Sequence, residues 1–136
     1  MALTGSVLLV DDDERVRDAL IALLEGQGYA VAGAGDGREA LALLRGGGFR
    51  PNLIILDLMM PVMDGWKFRA AQLEDAELAS IPIVVFSAHH AVRQVAGTLG
   101  AVTALAKPLD VDELLRVVAA YCGEAHPAPP EPRLPR

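Results

Sequence analysis

The sequence predicts a doubly wound α/β domain, in which five helices cover a five-stranded parallel sheet. Short apolar runs alternate along the chain with stretches whose apolar residues recur at helical spacing. The central run, Leu53–Leu56, contains four large apolar residues, which is typical of a strand that helices cover on both faces. Alternation at such short spacing implies right-handed crossovers and therefore parallel strands.

Each element has a local justification. Asp13 can cap the first helix, and glycines at 26 and 46–48 favour the ends of the first two helices. In chain order we expect strands at 7–10, 29–34, 53–57, 81–87 and 101–106, and helices from 13 to about 26 and at 38–45, 65–73, 91–99 and 110–122. The chain from 124 to 136 has five prolines and no apolar periodicity. We therefore divide it into a folded domain, 1–123, and a Pro-rich disordered tail or linker, 124–136.

The composition favours one domain whose partners are proteins or cations. The chain has 136 residues, of which 52% are hydrophobic, and this is enough for one substantial core. A net charge of −6 argues against a general nucleic-acid or anionic-membrane surface. Cys122 is the only cysteine, so no internal disulfide can form, which suits a reducing compartment. No apolar run approaches the ~20 residues that span a bilayer, and we expect a cytoplasmic protein.

Acidic residues follow two of the predicted strands. With the strand order 2-1-3-4-5 of flavodoxin-like folds, Asp11, Asp12 and Asp57 converge at the carboxyl ends of strands one and three. Three carboxylates in one place repel one another unless their pKa values rise or a cation binds, and oxygen ligands without His or Cys favour Mg²⁺. Ser87 and Lys107, which end strands four and five, would supply a hydroxyl and a cation for a phosphoryl group.

These residues give the chain its resemblance to a known family. It resembles the receiver domain of two-component response regulators over about residues 6–122. The motifs that match, in order, are Asp11-Asp12, Asp57 in Leu-Asp-Leu-Met-Met-Pro-Val-Met-Asp-Gly, Ser87-Ala88 and Lys107-Pro108. Because no output domain follows the last predicted helix, we expect a single-domain, chemotaxis-type receiver or a receiver cut from a longer regulator.

The resemblance implies the chemistry of a phosphoacceptor. Asp57 would take a phosphoryl group from a phosphohistidine on a sensor histidine kinase or a histidine phosphotransfer protein, and the product would be an acyl phosphate. Lys107 and Ser87 would contact the phosphoryl group, and the Lys107-Pro108 bond is expected to be cis. The activity would be limited to self-phosphorylation and slow autodephosphorylation, and its output would be altered binding to a downstream protein target.

The resemblance also implies a Mg²⁺ site and several modulating positions. Asp12 would bind the ion directly, Asp11 through water, Asp57 through its carboxylate, and Met59 through its backbone carbonyl. Met59 and His89 occupy the positions that tune hydrolysis of the acyl phosphate in this family, and neither would obviously orient a water, so we expect a longer-lived phosphoryl state. Ala104 stands where receivers often carry an aromatic switch, so output must use another element.

Two alternatives of different classes remain open. Ala104 favours a constitutive interaction module that keeps the fold but ignores phosphate. An acidic run, Asp11 to Glu14, contains the D-x-D of Mg²⁺-dependent haloacid dehalogenase-type phosphatases, but Arg15 stands where that family has a small β-branched residue.

Arg93 is the only base of the predicted fourth helix and strand five has no acid, so we expect a monomer or a weak dimer.

Two further motifs have ordinary structural interpretations. Asp13 is better placed as a helix cap than as a metal ligand. Gly33, Gly35 and Gly37 suggest a dinucleotide-binding loop, but the third glycine comes one residue too early, so we interpret the segment as a turn.

Overall fold

The computed structural model describes residues 5–46, 48–60, 62–88 and 92–123, except the side chains of Val92 and Arg93. Five strands alternate with five helices along the chain. The strands are β1 (Ser6–Val10), β2 (Ala30–Ala34), β3 (Leu53–Asp57), β4 (Ile83–Ser87) and β5 (Thr103–Ala106), and the helices are α1 (Glu14–Gly26), α2 (Gly37–Arg45), α3 (Gly65–Leu73), α4 (Val92–Leu99) and α5 (Val111–Cys122).

All strand pairs are parallel, and the sheet order is β2-β1-β3-β4-β5. β3 lies at the centre, with every residue from Leu53 to Asp57 buried. In register, Val10 pairs with Leu56 and Asp57 pairs with Phe86. The predicted fold class and strand order are therefore confirmed, and the carboxyl ends of β1, β3 and β4 meet at one edge.

Alternate residues of the strands point into two separate apolar layers. One layer contains Leu20 and Leu24 of α1 with Leu114 and Val118 of α5. The other layer packs α2, α3 and α4 against the opposite face of the sheet. Because both faces are covered, the central strands contain almost no polar residues until they reach the edge where the acids lie.

Two strands begin two residues later than the sequence pattern predicts. β4 begins at Ile83 because Pro82 has no N–H to donate to the sheet. β5 begins at Thr103, since the N–H of Ala101 bonds to the carbonyl of Ala96 and closes the end of α4. Gly100 makes this turn with a φ of 72°, in the left-handed region that favours glycine.

Two sequence predictions concern parts of the chain that the structure does not describe. His89 and the tail, 124–136, both lie outside the described residues. Within the described ranges, no helix is long and apolar enough to cross a membrane.

Candidate functional site

The predicted acids come together where β1 and β3 end side by side. Carboxylate oxygens of Asp11, Asp12 and Asp57 all lie within 4.8 Å of one another. Asp11 and Asp57 are buried, whereas Asp12 is exposed at the mouth of the site. The site therefore has two carboxylates fixed in the protein and one that faces solvent.

Asp11 is held through each of its polar groups. Its N–H donates to the carbonyl of Ala34, which continues the pairing of β1 with β2. The N–H of Asp13 donates to Oδ1 at 2.9 Å, and Lys107 Nζ donates to Oδ2 at 3.1 Å. Arg17 Nη1 donates to the backbone carbonyl of Asp11 at 2.8 Å. Asp11 is thus held in place by hydrogen bonds with the sheet, with the start of α1 and with Lys107.

Asp57 ends β3 with its carboxyl group in the same space. The N–H of Met59 donates to Asp57 Oδ1 at 3.2 Å, and Lys107 Nζ lies 3.5 Å from Oδ2. Burial raises the pKa of Asp57 to about 6, and the nearby charges of Asp11 and Asp12 act in the same direction, while Lys107 opposes them. The ionised carboxylate is therefore less stable here than in water, and a bound cation would relieve that cost.

Lys107 follows β5 directly, and the Lys107-Pro108 peptide bond is cis, as predicted. Its ammonium contacts both buried carboxylates and lies 4.7 Å from the centre of the Phe86 ring. Burial lowers the pKa of Lys107, but the carboxylates of Asp57 and Asp11 outweigh this effect, so the pKa is raised overall. Lys107 therefore stays charged beside the acids.

Ser87 is the last residue of β4 and is fully buried. It follows Phe86, the residue that pairs with Asp57, so its position on the sheet edge is adjacent to the acids. The N–H of Lys107 donates to the Ser87 carbonyl at 3.1 Å, which joins the ends of β4 and β5. The structure thus brings Ser87 and Lys107 to the edge at which the sequence predicts them.

The loop between β3 and α3 packs closely against its surroundings. Gly65 lies over Leu58, because a Cβ at Gly65 would stand 2.8 Å from Leu58 Cα. The N–H of Gly37 donates to the Met63 carbonyl. Val62 adopts a φ of 66°, which is rare for a β-branched residue, and its side chain is 67% exposed. The backbone at Val62, in the loop that follows Asp57, is therefore strained.

The donor set fits a hard divalent cation. Among the residues that the structure describes, three carboxylates converge without a His or Cys ligand, and such all-oxygen sites favour Mg²⁺ over softer metals. A bound cation would favour the ionised form of Asp57, whose pKa is raised mainly by burial and further by the charges of Asp11 and Asp12.

Asp13 is a helix cap, as predicted, and Ala104 lies beside a shallow cleft. Asp13 caps α1, because its carboxylate accepts the N–H groups of Arg15 and Val16. Ala104 is 3% exposed on β5 beside a cleft of about 240 Å³, which is lined by Ala96, Gly97, Ala101, Val102, Thr103 and Ala104. All of these lining residues have small or medium-sized side chains.

Sequence reasoning missed a buried polar network on α3. Arg69 Nε donates to the Leu99 carbonyl at 2.9 Å, and its two other nitrogens reach Gln72 and the Gly100 carbonyl. Gln72 in turn donates to the carbonyls of Leu78 and Ile81. Burial lowers the pKa of Arg69. The only sequence signal is the weak amphipathicity of α3, which a pair of buried polar residues produces.

Comparison with sequence profiles of known families identifies the family of this domain. The profile of the response regulator receiver domain matches residues 7–119. The chain belongs to the response regulator receiver domain family. Members of this family act as signalling phosphoacceptors that interact with histidine kinases and downstream effectors, and they bind Mg²⁺ at the acidic site.

Individual proteins agree with this assignment. Response regulator MprA of Mycolicibacterium vanbaalenii is 40% identical over 123 residues, which are 89% of this receiver and 52% of MprA. The receiver thus spans about half the length of MprA. Chemotaxis response regulator CheY4 of Vibrio cholerae superposes with a TM-score of 0.78 and 32% identity, over 88% of this chain and 99% of CheY4. Response regulator TrrA of Thermotoga maritima, solved in complex with Mg²⁺-BeF, gives a TM-score of 0.74 and 27% identity, over 85% of this chain and 97% of TrrA.

Proposed function

We propose that this receiver is a phosphoacceptor switch in which Asp57 takes a phosphoryl group from a phosphohistidine. The observation that carries the proposal is the joint contact of Lys107 with Asp57 and Asp11, beside a third carboxylate. A carboxylate, a cation and a cluster of cation-binding oxygens in one crevice are what phosphoryl transfer requires, because the transferred group carries negative charge that must be neutralised.

The chemical step forms one bond and breaks another. An oxygen of the Asp57 carboxylate attacks phosphorus in line with the leaving nitrogen. The P–N bond of the donor phosphohistidine breaks, and the imidazole keeps the electron pair and returns to its neutral form by protonation. The product is an acyl phosphate on Asp57. For this step Asp57 must be ionised, which its raised pKa makes pH-dependent near 6 without a cation.

Residues around Asp57 have distinct proposed roles. Asp12 and Asp57 would hold Mg²⁺ directly, Asp11 would hold it through water, and the Met59 carbonyl would complete the ligand set; the ion would supply positive charge for the phosphoryl oxygens. TrrA, a similar receiver fold, was solved with Mg²⁺-BeF, which supports this assignment. The ammonium of Lys107 would form an ion pair with the phosphoryl group.

Ser87 contributes a hydroxyl to the same phosphoryl group in this proposal. Because the backbones of Ser87 and Lys107 are hydrogen-bonded, a movement of Ser87 toward the phosphoryl group acts on the ends of β4 and β5 together. Output then passes through backbone shifts near α4, since Ala104 has no side-chain rotamer to change. This is the feature that separates the proposed switch from receivers with an aromatic at the same position.

Met59 supports a slow loss of the phosphoryl group. Its side chain is 57% exposed beside Asp57, and a thioether is a poor group for orienting an attacking water. His89 is the second modulating position of the proposal. The expected activity is self-phosphorylation and slow autodephosphorylation rather than turnover of external phosphate esters.

The proposed partners are a sensor histidine kinase or histidine phosphotransfer protein and a downstream protein target. We place the exchange in the cytoplasm, with no nucleic acid or membrane bound by this domain, which we expect to be a monomer or a weak dimer. The proposed folded unit is 1–123, and the proposed role of 124–136 is that of a tail or linker.

Intact-mass measurement after incubation with acetyl phosphate and Mg²⁺ tests this function. We expect one added phosphoryl group that disappears in EDTA and in Asp57→Asn. Asp18→Asn is the matched control, because Asp18 is an exposed carboxylate on α1. If the wild-type mass does not change, beryllofluoride binding distinguishes rapid hydrolysis from absence of the reaction; failure of both would favour the constitutive interaction module. Turnover of small phosphate esters would favour the phosphatase instead.

A further inference from the structure

Arg17 reaches from α1 to the peptide unit that joins two site residues. Its Nη1 donates to the backbone carbonyl of Asp11 at 2.8 Å. That carbonyl belongs to the peptide between Asp11 and Asp12, so the hydrogen bond fixes the plane from which both acidic side chains extend. Among the described residues, no carboxylate lies within ion-pair distance of the Arg17 guanidinium. Its identified polar contact is therefore with the site and not with a salt-bridge partner.

The glycine at 33 makes room for this arrangement. A Cβ at Gly33 would lie 3.2 Å from Arg17 Cδ and 2.8 Å from Ile21 Cδ1. The apolar stem of Arg17 therefore lies over the backbone of β2, and the guanidinium extends along the strand toward its carboxyl end, near Gly35. This packing restricts the side chain before any hydrogen bond forms. It also gives a packing reason for Gly33, one of the three glycines that the sequence analysis assigns to a turn.

The Asp11 carbonyl is the remaining point at which the acidic pair is anchored. The N–H, Oδ1 and Oδ2 of Asp11 are held by Ala34, Asp13 and Lys107. The bond from the Asp13 N–H spans Asp12, but none of these three contacts involves the side chain of Asp12, which is exposed and takes its direction from the peptides on either side. Release of the carbonyl would let this peptide rotate and would move Asp12 relative to the two buried carboxylates.

We propose that Arg17 is a positioning residue that orients the Asp11–Asp12 peptide, and thereby the carboxylate of Asp12, for Mg²⁺ binding. This inference rests on the proposed function, because it assigns a role toward the same ion. Arg17 acts through the backbone and does not contact the ion or the phosphoryl group.

Charge and position predict opposite effects when Arg17 is replaced. A positive charge close to an acidic cluster repels Mg²⁺, so a purely electrostatic influence of Arg17 would make Arg17→Met bind the ion more tightly. A positioning role makes the same variant bind more weakly, since the ligand set loses its alignment. Methionine keeps the apolar stem over Gly33 and removes both the charge and the donor, which makes it the informative substitution.

Calorimetric titration of the full chain with Mg²⁺ measures this effect in the folded protein. We expect Arg17→Met to raise the dissociation constant about tenfold, as loss of a partner that orients a metal ligand typically does. Arg17→Lys keeps the charge and a single donor, so its affinity should fall between wild type and Arg17→Met. Arg15→Met is the matched control, because Arg15 is exposed on the same helix, and its affinity should stay within about twofold of wild type.

A second readout does not need the ion. In EDTA, we expect faster amide hydrogen exchange at Asp12 and Asp13 in Arg17→Met than in Arg15→Met, while the central strand β3 exchanges as in wild type. Any order of Mg²⁺ affinities other than wild type, Arg17→Lys, Arg17→Met, or unchanged exchange at Asp12 and Asp13, would overturn the inference. Absence of Asp57-dependent Mg²⁺ binding in the wild type would overturn the proposed function as well, whereas normal wild-type binding with an unaffected Arg17→Met would overturn only the role of Arg17.

Discussion

Replacing Asp57 by asparagine should stabilise the metal-free protein. Burial raises the pKa of this carboxyl from the usual 3.8 to about 6. Because the folded state binds the proton more tightly than the unfolded state, stability is lost as pH rises from about 4 through 6, and the full cost remains above pH 6. A difference of about two pKa units corresponds to about 3 kcal/mol. Asparagine resembles the protonated carboxyl and can still accept the N–H of Met59, so it should remove this cost.

Urea unfolding at 25 °C in EDTA measures the effect. We expect Asp57→Asn to be more stable than wild type by about 3 kcal/mol at pH 7.5 and by only about 1 kcal/mol at pH 4.5, where the folded wild type is already protonated. The lower pH is close to the pI of 4.9, so micromolar protein is needed to avoid self-association. Asp18→Asn, an exposed carboxylate, should change stability little at either pH.

Mg²⁺ provides the complementary arm of this experiment. Saturating Mg²⁺ should stabilise the wild type at pH 7.5 much more than Asp57→Asn, since binding to the folded state alone adds stability. Equal stabilities of wild type and Asp57→Asn in EDTA at pH 7.5 would refute the claim that Asp57 is a buried carboxylate with a raised pKa. A stability difference between the two proteins that does not shrink toward pH 4.5 would refute it as well.

Three further predictions concern the rest of the domain. Val62→Gly should stabilise the domain by about 1 kcal/mol in urea unfolding, because glycine removes the steric strain of the left-handed backbone and this gain outweighs its larger entropy in the unfolded chain. The control Val102→Gly, at an exposed valine with an ordinary backbone conformation, should destabilise the domain. Arg69→Met should cost about 2 kcal/mol and speed amide exchange around Leu99 and Gly100, whose carbonyls lose their donor; unchanged exchange there would contradict the anchoring role. A chain ending at 123 should keep the wild-type melting temperature and Mg²⁺-dependent phosphorylation, and a loss of either would contradict the proposed division.

The site could be predicted from sequence because it depends on topology. Once the strands are parallel and the order is 2-1-3-4-5, residues that follow β1, β3, β4 and β5 must meet at one edge, whatever the details of packing. Asp11, Asp57 and Lys107 were found in this way. The start of β5 was less predictable, since the N–H of Ala101 can bond either to the sheet or to the end of α4 and only the tertiary structure decides.

Arg69 and Lys107 show why the remaining polar contacts could not be predicted. Arg69 is buried and Lys107 is partly buried. Lys107 lies beside carboxylates and its pKa is raised, whereas burial lowers the pKa of Arg69, whose partners are carbonyls and an amide. A cation among acids leaves a pattern in the sequence, because the acids must stand at strand ends. A cation that bonds to backbone carbonyls leaves none, since every residue has a carbonyl and Leu99 is 30 positions away in the chain. The same reasoning applies to Arg17, whose acceptor is also a backbone oxygen. Side chains that stabilise the backbone around a site therefore require the structure, while the charged groups of the site itself can be predicted from the order of the strands.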